Sequence, residues 1–159
     1  MFKLHRPLLS SVTHQAVLRH TIESAERLLH AEAPIFAPAM LGHVEFQPRK
    51  VTHRGPAMVF PFHGGKNACN AFQSMHGGAL AALADMFTTL HLWGQEPQSR
   101  HVSVNIDIQY LAAAKAGGSF ECVTRVTKKG KRLAFTEFEF FDQKTGDIVC
   151  KGTHTKAFI

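Results

Sequence analysis

The tripeptide His-Gly-Gly occurs twice in the sequence, at residues 63–65 and 76–78, and either copy could form part of a reactive site. The first copy is followed by Lys-Asn-Ala-Cys-Asn, a polar run without apolar periodicity that is typical of a loop. The second is followed by ALAALADMFTTLHLW, which begins with strong helix formers and contains no proline. The sequence therefore predicts a helix that begins at the second copy.

A helix N-terminus at Gly77 could stabilise a developing negative charge. The first backbone N–H groups of a helix have no partners within it, and the helix dipole is positive at this end. Glycine also lets a ligand approach the backbone closely. These properties suit an oxyanion formed from a carbonyl group. The alternative is that Gly77 and Gly78 only make a tight turn, and this short stretch is compatible with both.

Asp85 lies inside the predicted helix, which is otherwise apolar on nearly every side. A helix that is apolar all round is buried, and burial of an unpaired carboxylate is costly or raises its pKa. Either Asp85 lies on a narrow exposed stripe with Thr88 and Thr89, or it is held as a general base or nucleophile in an apolar cleft.

His76 and Asp85 are nine positions apart, so in one helix they would point to opposite sides, about 13 Å apart along the axis. One helix cannot bring both side chains to one reacting atom. They are therefore either unrelated or parts of a site that two subunits share across a two-fold axis.

Composition limits the classes of protein to which the chain can belong. Its 159 residues are 45% hydrophobic and 19% charged, as in one globular domain. No apolar run reaches the length of a membrane span. The three cysteines are too widely spaced for a zinc or dithiol motif, and the eleven histidines lack metal-ligand spacing. We therefore expect no metal and no other cofactor.

The net charge of +6 favours an anionic partner, such as a nucleic acid, an anionic membrane surface or a phosphate-bearing small molecule. No nucleic-acid-binding motif is present, so we expect no nucleic acid partner. The remaining alternative is a basic surface that is simply solvated.

The N-terminal segment has two interpretations. Its first 22 residues contain basic and hydroxyl side chains and no acid, as in an organelle targeting peptide. However, Leu18, Ile22, Ala25 and Leu29 have the spacing of an amphipathic helix that packs on the body of the protein. A targeting peptide would occupy only about the first dozen residues. The sequence thus predicts a mitochondrial or cytoplasmic location, with residues 1–31 as an N-terminal helical segment and 32–159 as the main domain.

The rest of the chain is expected to form strands. A proline-broken connector is predicted over residues 32–42, followed by strands at 42–52 and 56–63. After the helix, HVSVNIDIQYL at 101–111 alternates as a half-buried strand does, which would place five side chains on one face: Val102, Val104, Ile106, Ile108 and Tyr110.

Three further strands, at residues 119–127, 132–142 and 147–159, are joined by short turns and predict an antiparallel meander. The expected fold is α+β. One curled antiparallel sheet of about five or six strands would surround one long buried helix, with a further helix at the N-terminus.

Asn70, His76-Gly77-Gly78 and Asp85 are followed by the strands HVSVNIDIQYL and GKRLAFTEFEFFD and by a closing GTHTK. This ordered combination, over about residues 67–156, resembles the hotdog-fold acyl-CoA thioesterases. The resemblance implies a hotdog fold and hydrolysis of a fatty or aryl acyl-CoA. It also implies a homodimer with active sites at the subunit seam, assembled into a homotetramer.

The resemblance further implies a role for individual residues. Asp85 would activate water or attack the thioester carbon, and the Gly77 backbone N–H would stabilise the oxyanion. Asn70 would orient water or the thioester, with His76 in a supporting role. Ser103 matches a serine that family members place near the carboxylate.

Two features leave the resemblance incomplete. Strand alternation puts Ser103 on a polar face with His101 and Asn105, either at the subunit seam or simply exposed. The family also tends to have glycine or another small residue where this chain has Gln73, preceded by Phe72. Bulk at this place could narrow the acyl channel, so the length of the acyl group stays open.

Basic side chains are expected to bind the phosphates of coenzyme A. The candidates are Lys128, Lys129, Lys131 and Arg132 in a tight turn, or Lys151 and Lys156 near the C-terminus. A solvated turn is the alternative. A function of another class is also open, namely a non-catalytic module that binds acyl-CoA or an acyl carrier, in which Asp85 would be structural.

Overall fold

The computed structural model describes residues 11–31 and 36–159. This part contains the helices α1 (Ser11–Leu29), α2 (Phe36–His43) and α3 (Gly77–Gln95). Its strands are β1 (Thr52–Arg54), β2 (Ala57–His63), β3 (His101–Tyr110), β4 (Ser119–Lys129), β5 (Leu133–Asp142) and β6 (Ile148–Phe158). Short 3-10 turns lie at Pro48–Lys50 and Lys66–Ala68. No helix in these ranges is both long and apolar enough to cross a membrane.

The six strands form one antiparallel sheet in the order β1-β2-β4-β5-β6-β3. Strands β4, β5 and β6 are the predicted meander, and β3 pairs with β6 at one edge. Helix α3 contacts β3, β4, β5 and β6. The predicted α+β architecture, a curled sheet around one long helix, is therefore confirmed.

The core forms between α3 and the concave face of the sheet. The Phe87 ring of α3 is fully buried and stacks on Phe60 of β2, with ring centroids 4.8 Å apart. Phe62 and Phe140 pack around the same ring. Burial of one such side chain stabilises a fold by about 1.5–3 kcal/mol. This packing fixes α3 in the sheet, and with it the position of Asp85.

Helix α1 packs against α3 through the predicted apolar positions, including Ile22 and the fully buried Ala25. The two helices cross closely at Gly94, where an added Cβ would collide with Thr21 Oγ1. The targeting peptide predicted within the first dozen residues lies almost wholly outside the described residues. It remains a prediction, as does the boundary between residues 31 and 32.

The region before β2 was predicted wrongly. The supposed connector contains α2, and the strand predicted over 42–52 is the end of α2 followed by a loop and a 3-10 turn. Pro38 is tolerated because it lies in the first helical turn, where backbone N–H groups lack helical partners. The helix ends before Glu45, whose φ of 50° is left-handed.

Strand β3 is not half-buried in the single chain, contrary to the prediction. Val102, Val104 and Tyr110 are 48%, 59% and 51% exposed, because β3 is an edge strand with only β6 beside it. Its apolar residues are therefore uncovered in the single chain, with Val102 on one face of the strand and Tyr110 on the other.

A β-bulge also breaks the predicted alternation of β3. Ser103 pairs with Lys156 and Asn105 pairs with Thr155, so Val104 has no partner residue on β6. Directly paired residues of an antiparallel sheet point to the same face. Ser103 consequently faces α3 together with Lys156, whereas Asn105 faces away, and the predicted polar face with both residues is wrong.

Candidate active site

The first His-Gly-Gly copy begins at the last residue of β2, and its two glycines start a loop in which they have a packing role. Gly65 lies so close to the α2 end that an added Cβ would collide with His43 O. The Gly64 N–H donates to Gly118 O at 2.9 Å. This copy thus ties two loops together.

The second copy begins α3, as predicted. His76 is the N-cap residue, and its Nδ1 accepts a hydrogen bond from the Gly78 N–H at 2.9 Å. The His76 N–H donates to Ala68 O at 2.8 Å. Within the described residues, the Gly77 N–H has no acceptor. It is therefore a backbone donor at the positive end of a helix that is available to a ligand.

Tyr110 holds Gly77 from the end of β3. Its hydroxyl donates to Gly77 O at 2.8 Å. A Cβ added at Gly77 would lie 3.2 Å from the Tyr110 ring. This contact is tight, but the Tyr110 side chain is half-exposed and has room to move. Glycine therefore suits this position for two reasons: a side chain would crowd Tyr110, and it would hinder the approach of a ligand to the backbone N–H.

Asn70 organises the loop before the helix. Its Oδ1 accepts hydrogen bonds from the Phe72 N–H at 2.9 Å, the Ser74 N–H at 3.3 Å and the Ser74 hydroxyl at 3.2 Å. This is an Asx turn, which shapes the backbone locally. The Asn70 side-chain NH₂ has no partner among the described residues and is the group left to orient a substrate or water.

The departure at Gln73 has a conformational basis. Its φ of 56° lies in the left-handed region, which glycine occupies without strain. The preceding Phe72 is 90% exposed. The larger residue is therefore accommodated by the loop itself, and the aromatic ring projects into solvent beside Asn70.

Asp85 lies farther along α3 and is half-exposed, with 49% of its side chain accessible. Four neighbours converge on its Oδ1: Lys156 Nζ at 2.8 Å, Ser103 Oγ at 3.3 Å, Thr89 Oγ1 at 3.4 Å and His154 Nε2 at 3.7 Å. Within the described part of the chain, no group contacts Oδ2. One carboxylate oxygen is held and the other is available.

The charges around Asp85 keep it ionised. Burial alone would raise its pKa, but the hydrogen bond and the positive charge of Lys156 outweigh burial and lower the pKa below its ordinary value of 3.8. His154 is kept neutral instead, because burial and the charge of Lys156 lower its pKa to about 4. At neutral pH the site therefore contains a carboxylate, an ammonium and a neutral imidazole.

The hydrogen bonds of His154 indicate how its ring is oriented. Nδ1 lies 2.8 Å from Thr88 Oγ1 on α3, and Nε2 points toward Asp85. The Thr88 hydroxyl also lies 2.8 Å from Ala84 O, so the tautomer of His154 decides whether Thr88 or the imidazole donates in their contact. His154 therefore connects α3 to the surroundings of Asp85, with its Nε2 3.7 Å from Oδ1.

The structure groups the predicted residues in two clusters. Asn70, His76 and Gly77 form the first, which we call the oxyanion end. Asp85 and Ser103 belong to the second, the carboxylate end. Gly77 and Asp85 are eight positions apart in α3, which corresponds to about 12 Å along the axis.

Sequence reasoning missed Lys156 and His154 as parts of the site. The sequence offered Lys156 as one candidate for binding a phosphate. This expectation is wrong, because Lys156 is only 3% exposed and its ammonium group is bound to Asp85 and Ser103. The sequence did contain a signal for both residues. His154 and Lys156 are two positions apart in the strand segment THTK, so their polar side chains point to the same face of the sheet.

The basic turn lies beyond the carboxylate end. Lys128, Lys131 and Arg132 are exposed there, while Lys129 is bound to Glu96 after the end of α3. As for metals, no cluster of three or more His, Cys, Asp or Glu side chains that could hold an ion occurs within residues 11–31 and 36–159.

Residues 72–149 match the Thioesterase superfamily. Human acyl-coenzyme A thioesterase 13 is 38% identical over 87 residues, which is 55% of this chain and 62% of the human protein. The chain contains a thioesterase superfamily domain. The match to the curated relatives of this name spans about three fifths of their length. Gly77, Asp85 and Ser103 lie within the thioesterase match, whereas Asn70 and Lys156 lie outside it.

Solved thioesterase structures have the same fold. Zebrafish thioesterase superfamily member 2 is 27% identical, with 94% of this chain and 100% of that chain covered at a TM-score of 0.72. The Escherichia coli PaaI protein from the phenylacetic acid degradation operon is 18% identical, with coverage of 90% and 96% and a TM-score of 0.72. The hotdog fold expected for the thioesterase domain is thus confirmed.

Proposed function

We propose that the protein hydrolyses the thioester bond of acyl-CoA, releasing a free acid and coenzyme A. The observation that carries the proposal is Asp85, an ionised carboxylate with one unoccupied oxygen on an otherwise buried helix. The thioesterase superfamily domain and the resemblance to acyl-coenzyme A thioesterase 13 support the choice of substrate class.

Asp85 is the general base in this proposal. Its Oδ2 accepts a proton from water as the water oxygen attacks the thioester carbon. The carbonyl oxygen becomes an oxyanion, which the Gly77 N–H stabilises by a hydrogen bond at the helix N-terminus. The carbon–sulfur bond then breaks, and the CoA sulfur leaves as a thiolate that takes up a proton. Asn70 orients the water or the thioester. Ser103 supports the carboxylate end by its hydrogen bond to Asp85, and His76 supports the oxyanion end as the cap of α3.

We propose that each active site is shared by two subunits. The Gly77 N–H and Asp85 of one chain are about 12 Å apart along α3, too far for one thioester carbon. The exposed apolar residues of the edge strand β3 offer a surface that a second copy would cover. The oxyanion end of one subunit would then meet the carboxylate end of its neighbour in a homodimer, which assembles further into a homotetramer.

Release of free thiol from a panel of fatty and aryl acyl-CoAs tests the proposed reaction. Turnover supports a thioesterase, and the preferred acyl group identifies the substrate. Binding without turnover would overturn hydrolysis and favour a binding module. Chelation should leave activity unchanged, because the proposed mechanism uses no metal. If a chelator abolished the activity and zinc restored it, the proposal of a metal-free mechanism would be contradicted.

Mixing of two inactive proteins tests the shared site. Asp85→Asn lacks the base, and Asn70→Asp keeps the oxygen that holds the loop while replacing the amide NH₂. Half of randomly paired dimers are mixed, and each contains one intact site of two. Activity should therefore recover to about one quarter of wild type by the two-fold symmetry. Proven subunit exchange without recovery would place both residues of each site in one chain.

We also propose that the exposed basic turn binds the phosphates of coenzyme A. Replacing Lys128, Lys131 and Arg132 by alanine should raise KM for acyl-CoA and weaken its dependence on salt. Lys144→Ala, in the exposed turn between β5 and β6, is the matched control. An unchanged KM and an unchanged salt dependence in the triple variant would exclude the turn.

A further inference from the structure

Lys156 is a buried cation in the sheet. The residue is 3% exposed and lies on β6, with its Nζ 2.8 Å from Asp85 Oδ1 and 3.2 Å from Ser103 Oγ. Lysine is almost never fully buried unless it is paired. Among the described residues, its only ion pair is with Asp85. The position of this ammonium therefore depends on the carboxylate.

The dependence is mutual. Both Lys156 and His154 lie beside Asp85. Burial lowers the pKa of His154 to about 4, so this imidazole is neutral at neutral pH and Lys156 is the cation at the carboxylate. His101 on β3, which also faces this cluster, has its pKa lowered to about 4 for the same main reason. The charged and titratable groups that face Asp85 from β3 and β6 are thus one ammonium and two neutral imidazoles.

The contacts also fix the orientation of the carboxylate. Lys156, Ser103 and Thr89 all donate to Oδ1, and none donates to Oδ2. Rotation of the carboxylate would break the short bond to Lys156, the strongest of these contacts because it is charge-assisted. The oxygen that would act on water is therefore the one that the protein leaves without a partner.

We propose that Lys156 is a positioning residue for the reaction of Asp85, holding the carboxylate ionised through Oδ1 and leaving Oδ2 to act on water. The inference rests on the proposed thioester hydrolysis for its catalytic consequence. The coupling between the two charges can be measured without turnover. Ser103 helps to hold this pair, since its hydroxyl accepts a hydrogen bond from the Lys156 ammonium and donates one to the Asp85 carboxylate.

Lys156→Met removes the charge and keeps a long apolar side chain, and Lys156→Arg keeps the charge. Lys144→Met is the control, an exposed lysine in the turn that precedes the same strand. Titration of the Asp85 carboxyl by carbon-13 NMR should show a higher pKa in Lys156→Met, because the main opposition to the effect of burial is then removed. The acid limb of the kcat profile should move to higher pH with it.

The kinetic expectation separates positioning from folding. In Lys156→Met, kcat should fall by about 10–100-fold, as is typical when a side chain that orients a metal ligand is removed, with KM nearly unchanged. Lys156→Arg should retain most of the activity. In an Asp85→Asn background, Lys156→Met should cost less than about twofold, since residues that act as a unit are not additive.

An Asp85 carboxyl that titrates in folded Lys156→Met as it does in wild type would overturn the inference. If Lys156→Met does not fold, Lys156→Gln takes its place under the same criterion. A shifted Asp85 titration in a protein that hydrolyses no acyl-CoA would support the charge coupling and refute the proposed function. The two failures are therefore distinguishable.

Discussion

The two ends of the candidate site are held in different ways. At the oxyanion end, Asn70, His76 and Gly77 lie within eight consecutive residues and are fixed mainly by backbone hydrogen bonds and an Asx turn. At the carboxylate end, the groups come from α3, β3 and β6 and are fixed by a buried charge pair. The first end is built from neighbouring residues and backbone hydrogen bonds, and the second from distant residues and a charge pair.

This difference predicts how each end fails. A backbone donor cannot be removed by ordinary side-chain replacement, so the oxyanion end should tolerate substitutions that preserve both the loop and the Asn70 amide. The carboxylate end depends on compensation between charges, and removal of one partner leaves the other uncompensated. It should therefore respond strongly to single substitutions and to pH.

Asp85→Asn should have the largest effect. It keeps the shape of the side chain but removes the base, and kcat should fall by about 10²–10⁴. Asp147→Asn, an exposed carboxylate in the turn between β5 and β6, is the control and should leave kcat unchanged. Steady-state thiol release measures both. Near-wild-type turnover in folded Asp85→Asn would show that the carboxylate end takes no part in the chemistry.

Gly77→Pro tests the backbone donor at the other end. Proline lacks an N–H and is favoured at the first position of a helix, and the preceding His76 already has the extended conformation that proline requires, with φ −63° and ψ 135°. Loss of one oxyanion donor should lower kcat by about 10²–10³.

Gly77→Ala is the matched control for this test, because it also adds a Cβ beside Tyr110 but keeps the N–H. Its kcat should lie much closer to wild type. Equal losses in the proline and alanine variants would attribute the effect to crowding of Tyr110 and would remove the Gly77 N–H from the mechanism.

Acid should destabilise the folded protein through a buried histidine of α3. His91, on α3 and 1% exposed, is hydrogen-bonded to Thr124, and burial lowers its pKa to about 4 from the ordinary 6.5. Between these values the unfolded chain binds a proton that the folded protein does not. The free energy of unfolding should therefore fall as pH falls from 6.5 toward 4, by up to about 3 kcal/mol for this histidine.

Urea unfolding at a series of pH values measures this dependence. The pH dependence of the free energy of unfolding should be shallower in His91→Asn, which cannot titrate. His154 contributes in the same direction. A free energy of unfolding that stays constant across this pH range in the wild type would contradict the prediction.

Gln73→Gly should have the smallest effect, and it concerns the oxyanion end. Glycine relieves the left-handed φ of 56° but increases the freedom of the unfolded chain, so the net gain in stability should be about 0.5 kcal/mol or less. Gln73→Val should destabilise, because a β-branched residue is strained at positive φ. Chemical denaturation compares the three proteins. A more stable valine variant would show that the loop is not held in this conformation.

Much of the fold could be predicted because its signals are periodic and local. The start of α3 at Gly77, its apolar character and the β4-β5-β6 meander all followed from residue spacing and turn chemistry. The segment before β2 could not be predicted in this way. Its helix α2 is short and contains Pro38, and whether a proline breaks a helix depends on the turn in which it falls.

By itself, the sequence determined the oxyanion end, because a capped helix start and an Asx turn are formed by neighbouring residues. Only the tertiary structure decided what surrounds Asp85. A one-residue bulge at Val104 turns Ser103 toward α3, and the pairing of β3 with β6 brings Lys156 to the carboxylate from 71 residues away. Charge compensation acts through distance in space, and spacing along the chain does not encode that distance.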